Sequence, residues 1–259
     1  MDPGPEMSPQ AARELDLTDD GFLGGRLRIL QPKRGYRAGI DAVLMAAAIP
    51  ARAGECAFEA GLGVGTAALC LAHRISGLRV SGMEVQPGLA DLARRNAARN
   101  ALDEALLVTE GDALAAKALG LAPQSFDHVF ANPPFFAAGS IDRPKDESRA
   151  TAHLLSADLS AWIDALHWLA KPKASLTLVH RAEAVVEIAA LMQGRFGDIR
   201  IFPLWPRASE AAARVIVQGR KGSRGEPKLL AGLVLHEAGT GFSPAAEACL
   251  RDGAALSLK

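Results

Sequence analysis

From Glu55 onward, short apolar runs alternate with amphipathic stretches, and this alternation constrains the fold more than any other feature of the chain. CAFEA, LRVSGME, ALLVTEGD, FDHVFA and SLTLVH read as strands, separated by the helical stretches TAALCLAHRI, GLADLARRNAARNA and DLSAWIDALHWLA and followed by AEAVVEIAALMQ. Strands that alternate with helices of about 10 to 15 residues are joined by crossovers, so they lie parallel in one sheet covered on both faces. The expected fold is α/β, doubly wound and mostly parallel. Two later runs, IRIFPLW and ARVIVQGRKG, read as antiparallel strands closing the C-terminal edge of that sheet.

Upstream, residues 1–20 carry proline, glycine and acid without apolar periodicity, which reads as a flexible acidic leader dispensable for chemistry. Residues 21–259 then form one catalytic domain with a short N-terminal extension. In that extension a strand-like stretch around Leu27 and Ile29 leads through a basic turn to a helix from about Asp41 to Ala48, with Asp41 as its N-cap.

Formal net charge is zero, with 29 basic and 29 acidic residues, which on its face disfavours a polyanionic partner. Six of the acids and one base fall in residues 1–20, leaving 28 bases against 23 acids, about +5, for the rest. No apolar run reaches the roughly 18 to 20 residues needed to span a bilayer, and the N-terminus is acidic, so a cytoplasmic location is expected. Cys56, Cys70 and Cys249 are isolated in apolar sequence, which predicts buried free thiols and neither disulfides nor a metal site.

The segment from Phe58 to Thr66 follows a strand and opens a helix, where a doubly wound sheet binds its ligand. Gly61, Gly63 and Gly65 there permit a tight turn and close backbone approach; taken alone they could equally be an ordinary strand-to-helix turn. Glu84 ends the next strand, 19 positions past Gly65, where a carboxylate can accept from ribose hydroxyls, and Asp112 follows the third strand, suited to an adenine amino group. Dinucleotide dehydrogenases share the first two features. Here, however, the spacing is GxGxG and Glu59 precedes it, which resembles the S-adenosylmethionine methyltransferase superfamily and implies its class I Rossmann-like sheet. A cofactor without phosphate gains little from a helix dipole aimed at an anion, whereas acids suit a sulfonium.

Asn132-Pro133-Pro134-Phe135 follows the fourth strand. By itself Pro-Pro could be a rigid stop. Together with the cofactor loop it resembles the amino-methyltransferases carrying an Asn/Asp/Ser-Pro-Pro-aromatic motif, which act on nucleobase amines or a glutamine amide. An exocyclic amine is a poor nucleophile because its lone pair is delocalised. Two acceptors, the Asn132 side-chain oxygen and the Pro133 carbonyl, would favour a pyramidal nitrogen, and Phe135 would stack the ring. No general base is demanded, so His128 and His153 receive no catalytic role.

The stretch from Gln31 to Leu44, the glycine loop and NPPFF together resemble the bacterial tRNA adenine-N6 methyltransferases that modify adenine 37 of a valine tRNA, over roughly residues 21–220. The resemblance implies that S-adenosyl-L-methionine meets Tyr36, Asp41, Glu59, Gly61, Gly63, Gly65, Glu84, Asp112 and Asn132. It implies that the anticodon loop of tRNA meets Lys33, Arg34, Arg37 and Arg149. The basic turn at 33–37 could also be no more than a solvated surface. Further clusters at Arg143 and Lys145 and at Arg220, Lys221, Arg224 and Lys228 would form a phosphate-binding rim if they converge with it, and scatter would weaken the RNA reading. The departures from the family are the EAGLGVG loop and the acidic leader. Ribosomal RNA and protein glutamine are alternative substrates, although glutamine methyltransferases usually carry an N-terminal helical domain for which this chain leaves no room. A dehydrogenase or nucleotide-binding module remains the alternative of another class.

Overall fold

The computed structural model describes residues 16–35, 37–134, 159–237, 239 and 241–259. It opens with a hairpin, β1 (Leu17–Phe22) antiparallel to β2 (Leu27–Pro32), followed by helix α1 (Ile40–Ala48). The alternation read from the sequence then runs β3 (Cys56–Ala60), α2 (Thr66–Arg74), β4 (Arg79–Glu84), α3 (Pro87–Arg99), β5 (Leu106–Glu110) and β6 (Phe126–Ala131). After the segment outside the described residues come α4 (Leu159–Leu169), β7 (Ala170–Arg181), α5 (Val185–Met192), β8 (Phe196–Trp205) and β9 (Arg214–Lys221). Two short strands, β10 (Lys228–Leu229) and β11 (Leu233–Val234), and helix α6 (Pro244–Leu250) complete the chain.

The main sheet has the order β10-β8-β9-β7-β6-β3-β4-β5, with β11 also paired to β8. All its pairings are parallel except those of β9, which lies antiparallel between β7 and β8. The mostly parallel sheet with an antiparallel C-terminal edge is therefore present, and one strand, β9, carries the reversal. Apolar side chains alternate across the sheet: Val129 and Ala131 of β6 pack into one cluster with α4 and α5, while Phe130 faces the other with α1, α2 and α6. From β3 the chain winds outward through β4 to β5, then returns to β6 on the other side of β3. This reversal opens a crevice at the carboxyl ends of β3 and β6, where an open α/β sheet holds its ligands.

Three details differ from expectation. The boundary at residue 20 falls inside β1, so Leu17–Asp20 belong to a strand. Those residues reach into the fold, with Asp19 pairing with Arg28 and Arg99 and Asp20 with Arg37. Helix α1 starts at Ile40 with Gly39 as its N-cap and no side-chain cap bond, and Asp41 sits in the first turn, because its carboxylate is drawn to Arg214 on β9. Among the described residues no helix is long and apolar enough to cross a membrane, and no three His, Cys, Asp or Glu side chains are grouped to hold a metal ion. All three cysteines are free; Cys70 and Cys249 are buried, and burial pushes the Cys70 thiol up to about 12.

Candidate active site

The glycine loop leaves β3 at Ala60, opposite Met83 of β4 and Ala131 of β6. Gly61, Gly63 and Gly65 all have positive φ, at 70°, 57° and 86°. At Gly61 glycine is needed twice over: the backbone is left-handed, and an added Cβ would stand 3.0 Å from the ring of Trp162 on α4. The loop thus begins against the edge of a buried indole.

Two carboxylates fasten it. Glu84, at the end of β4, accepts from Gly63 N at 2.7 Å through Oε2 and from Gln86 N at 2.9 Å through Oε1. The Val85 N–H also faces this carboxylate, and the acceptor capacity left over suits the hydroxyls of a ribose. Glu59 turns to the helix instead: its Oε2 accepts at 3.0 Å from Ala68 N in the first turn of α2, a helix whose N-cap, Gly65, has no side chain to do so. Burial raises both acids above the usual carboxylate range, Glu59 well above it, and the neighbouring Glu84 charge pushes Glu59 further up. Asp112, beyond β5, accepts from Leu114 N at 2.8 Å and caps a short 3-10 turn.

Asn132 leaves the sheet one residue past β6, immediately across from the glycine loop. Its Oδ1 is buried and has no hydrogen-bond partner. An orphaned buried acceptor costs about 1 to 3 kcal/mol, and it marks a place where a donor belongs. The loop backbone, the free acceptor positions of Glu84 and this orphaned oxygen fit a cofactor bearing a ribose beside an amine-bearing substrate.

The N-terminal basic turn is bracketed by Gln31, whose side chain accepts from Ala38 N at 2.8 Å and donates to Asp20 at 2.9 Å. Arg37 donates to Thr18 Oγ1, to the Pro32 carbonyl and to Asp20, and Lys33 pairs with Asp16 at 2.6 Å. Arg37 is thereby a brace for the turn, and Arg34 is exposed. Asp41 pairs with Arg214 at 2.9 Å. Tyr36, Phe135, Arg143, Lys145, Arg149 and His153 lie outside the described residues.

The C-terminal basic cluster does not converge with the turn. β9 begins at the crevice with Arg214, opposite Arg181, and its pairing with β7 ends at Arg220 opposite Ser175, six residues or about 20 Å away at the far edge. There Lys221 donates to the His167 and Ala170 carbonyls. His128 is also remote from the crevice, bonded to Ser175 Oγ at 2.7 Å and Glu55 at 2.8 Å, and burial holds its pKa down.

Three residues escaped the sequence reading. Trp162 supports the loop, Arg181 stands at the crevice edge, and Asn96 of α3 donates to the Val64 carbonyl at 3.0 Å while pairing with both backbone groups of Leu30. Asn96 had a signal: a polar residue in the apolar stripe of Leu89, Leu92, Ala93 and Ala97.

No protein-family model matches the chain. A tRNA1(Val) (adenine(37)-N6)-methyltransferase of Porphyromonas gingivalis is 30% identical over 202 residues, covering 72% of this chain and 77% of that protein. A release factor glutamine methyltransferase of Chlorobaculum tepidum is 36% identical over 77 residues, 30% of this chain and 26% of that protein. The crystal structure of a predicted O-methyltransferase from Agrobacterium tumefaciens superposes with a TM-score of 0.71 at 28% identity, over 83% of this chain and 98% of the other.

Proposed function

The chain belongs to the family of tRNA1(Val) (adenine(37)-N6)-methyltransferases, and from that premise we propose that it methylates N6 of an adenine in tRNA, at position 37 in the anticodon loop of a valine tRNA. It is an S-adenosyl-L-methionine-dependent enzyme with a class I methyltransferase fold. The observation that carries the amine assignment is the buried, unpartnered Oδ1 of Asn132 beside the glycine loop.

Bound S-adenosyl-L-methionine supplies an electrophilic methyl group on a sulfonium. The chain's own part is to hold the amine. Asn132 Oδ1 and the Pro133 carbonyl accept its two N–H bonds, which draws the nitrogen lone pair out of conjugation and stabilises the positive charge that develops on it. The prolines fix both acceptors in advance, so little reorganisation accompanies the reaction. The surplus proton becomes acidic once the nitrogen is alkylated and leaves to water, and His128, fixed at the far end of β6, takes no part. Glu84 and the glycine loop would hold the ribose, and Asp112 would accept from the adenine amino group of the cofactor. Phe135 stacks the target base, Tyr36 and Asp41 border the cofactor, and Lys33, Arg34 and Arg149 contact RNA. An anticodon-loop adenine is already unpaired, so drawing it out costs less than from a duplex.

The test is tritiated S-adenosyl-L-methionine with bulk tRNA lacking the modification, comparing wild type with Asn132→Ala. N6-methyladenosine in the nucleoside digest, reduced about 10²- to 10³-fold in kcat by the substitution with cofactor binding retained, is expected. Label appearing only on release-factor protein would replace the tRNA substrate with a glutamine amide, which presents the same planar NH2.

A further inference from the structure

The carboxyl ends of the strands are divided by charge. On one side of Asn132, the ends of β4 and β5 carry Glu84, Glu110 and Asp112. On the other side, the ends of β7 and β8 and the beginning of β9 bring Arg181, Arg207 and Arg214 to the same edge. A cationic sulfonium suits the first half. A base presented to Asn132 enters from the second, and its sugar and phosphates trail across it.

The arginines of that half are not equivalent. Arg214 is held by Asp41 at 2.9 Å. Arg207 donates to the Glu237 and Gly239 carbonyls and pairs with Glu210. Arg181 pairs with no carboxylate among the described residues, and its Nε is buried without a hydrogen-bond partner. The nearest acid along the chain is Glu183, two residues on in the 3-10 turn that follows β7, and the buried His180 precedes Arg181. β6 and β7 run parallel in register to Ala131 opposite Leu178, so Asn132 emerges one strand spacing, about 4.8 Å, from the Val179–Arg181 segment.

We infer that Arg181 is a substrate-positioning residue that receives a backbone phosphate next to the target nucleotide, with Arg214, oriented by Asp41, extending the positive field. The inference rests on the tRNA reading above and names the contact that seats the RNA. A guanidinium meets a phosphate through paired N–H bonds in a fixed fork, which positions the nucleotide without reading its base. This contact replaces the Arg220 to Lys228 cluster, which lies at the wrong edge of the sheet to take part.

The test uses the full chain, comparing wild type, Arg181→Ala and Arg181→Lys in tRNA binding across about 50 to 200 mM salt, in steady-state methylation, and in calorimetric binding of S-adenosyl-L-methionine alone. Arg181→Ala is expected to raise KM for tRNA about tenfold with kcat little changed, and to make the log Kd against log salt slope shallower by about 0.7 to 0.9, one phosphate contact. Cofactor affinity stays at the wild-type value, and Arg181→Lys recovers most of the slope. A wild-type slope in Arg181→Ala overturns the inference, as does a loss of cofactor binding, which would mark Arg181 as structural. A wild type that methylates no tRNA instead defeats the substrate reading on which this one stands.

Discussion

Replacing Asn96 with alanine removes three hydrogen bonds at a side chain with no exposed surface. Its Oδ1 accepts from Leu30 N at 2.8 Å, and its Nδ2 donates to the Leu30 and Val64 carbonyls, each at 3.0 Å. One turn on, Asn100 makes the same pairing with Arg28 of β2, accepting from its N–H and donating to its carbonyl, both at 2.9 Å. Two amides four residues apart, one on α3 and one at its C-cap, thus hold alternate residues of β2 as an adjoining strand would. At about 1 kcal/mol net per bond, plus about 1 to 3 kcal/mol for stranding the buried Val64 carbonyl, Asn96→Ala should destabilise the fold by about 4 to 6 kcal/mol. Asn100→Ala removes similar bonds where water replaces them, and should cost about 1 kcal/mol or less. Urea unfolding of both variants measures the difference. Because Val64 sits between Gly63 and Gly65, Asn96→Ala should also weaken cofactor binding in calorimetry, while Asn100→Ala should not. Equal losses of stability in the two variants would refute the argument from burial, and unchanged cofactor affinity in Asn96→Ala would refute the tie to the loop.

The remaining predictions concern the acid behind the loop and the N-terminal brace. Burial raises the Glu59 pKa in the folded state well above its ordinary value, so between the two values the folded state binds more protons than the unfolded one. Its contribution to stability is complete below the unfolded pKa and is lost as pH rises toward the folded one. Glu59→Gln keeps an oxygen for Ala68 N and has no proton to lose, so its stability relative to wild type should climb from pH 5 to pH 8, by at most about 1.4 kcal/mol per pH unit; a flat difference in melting curves would contradict the buried-carboxyl account. Arg37→Ala should weaken cofactor binding several-fold while leaving the salt slope of tRNA binding within about 0.3 of wild type, because Arg37 braces the turn through Asp20 and Thr18. A drop in slope near 0.7, measured by filter binding, would return Arg37 to the RNA-contacting surface.

The sheet was legible because alternation of strand and helix leaves few topologies, and the crevice followed from the strand ends. The boundary at residue 20 failed for a physical reason: composition marks Thr18, Asp19 and Asp20 as polar leader, yet an edge hairpin needs apolar residues on one face only, and here its acids are consumed by Arg28, Arg37 and Arg99. Asp41 resembled an N-cap on local grounds, but its partner, Arg214, is 173 residues away. Sequence alone leaves open whether the basic cluster after Val217 joins the rim, because charge along a chain says nothing about which end of a strand it occupies. An antiparallel strand starts where its parallel neighbours end, so expecting ARVIVQGRKG to be antiparallel already implied that its first arginine meets the crevice and its basic tail leaves it. That step needed only strand direction, whereas the insertion of β9 between β7 and β8 needed the structure.

Strand direction also explains how one sheet edge can serve two ligands of opposite charge. Carboxylates at the ends of β4 and β5 repel a polyanion, and guanidiniums at β7 and β9 repel a sulfonium, so neither ligand of the proposed reaction gains by entering the other's half. The boundary between the halves is β6, and the last described residues after it are Asn132, Pro133 and Pro134. A charged side chain there would favour one ligand over the other. Asn132 instead offers a neutral acceptor, which can stabilise positive charge growing on an amine during transfer without attracting the cofactor's sulfonium as strongly as a carboxylate would. On this reasoning the chemistry belongs at β6 because it is the one strand end where both ligands meet with neither field dominant.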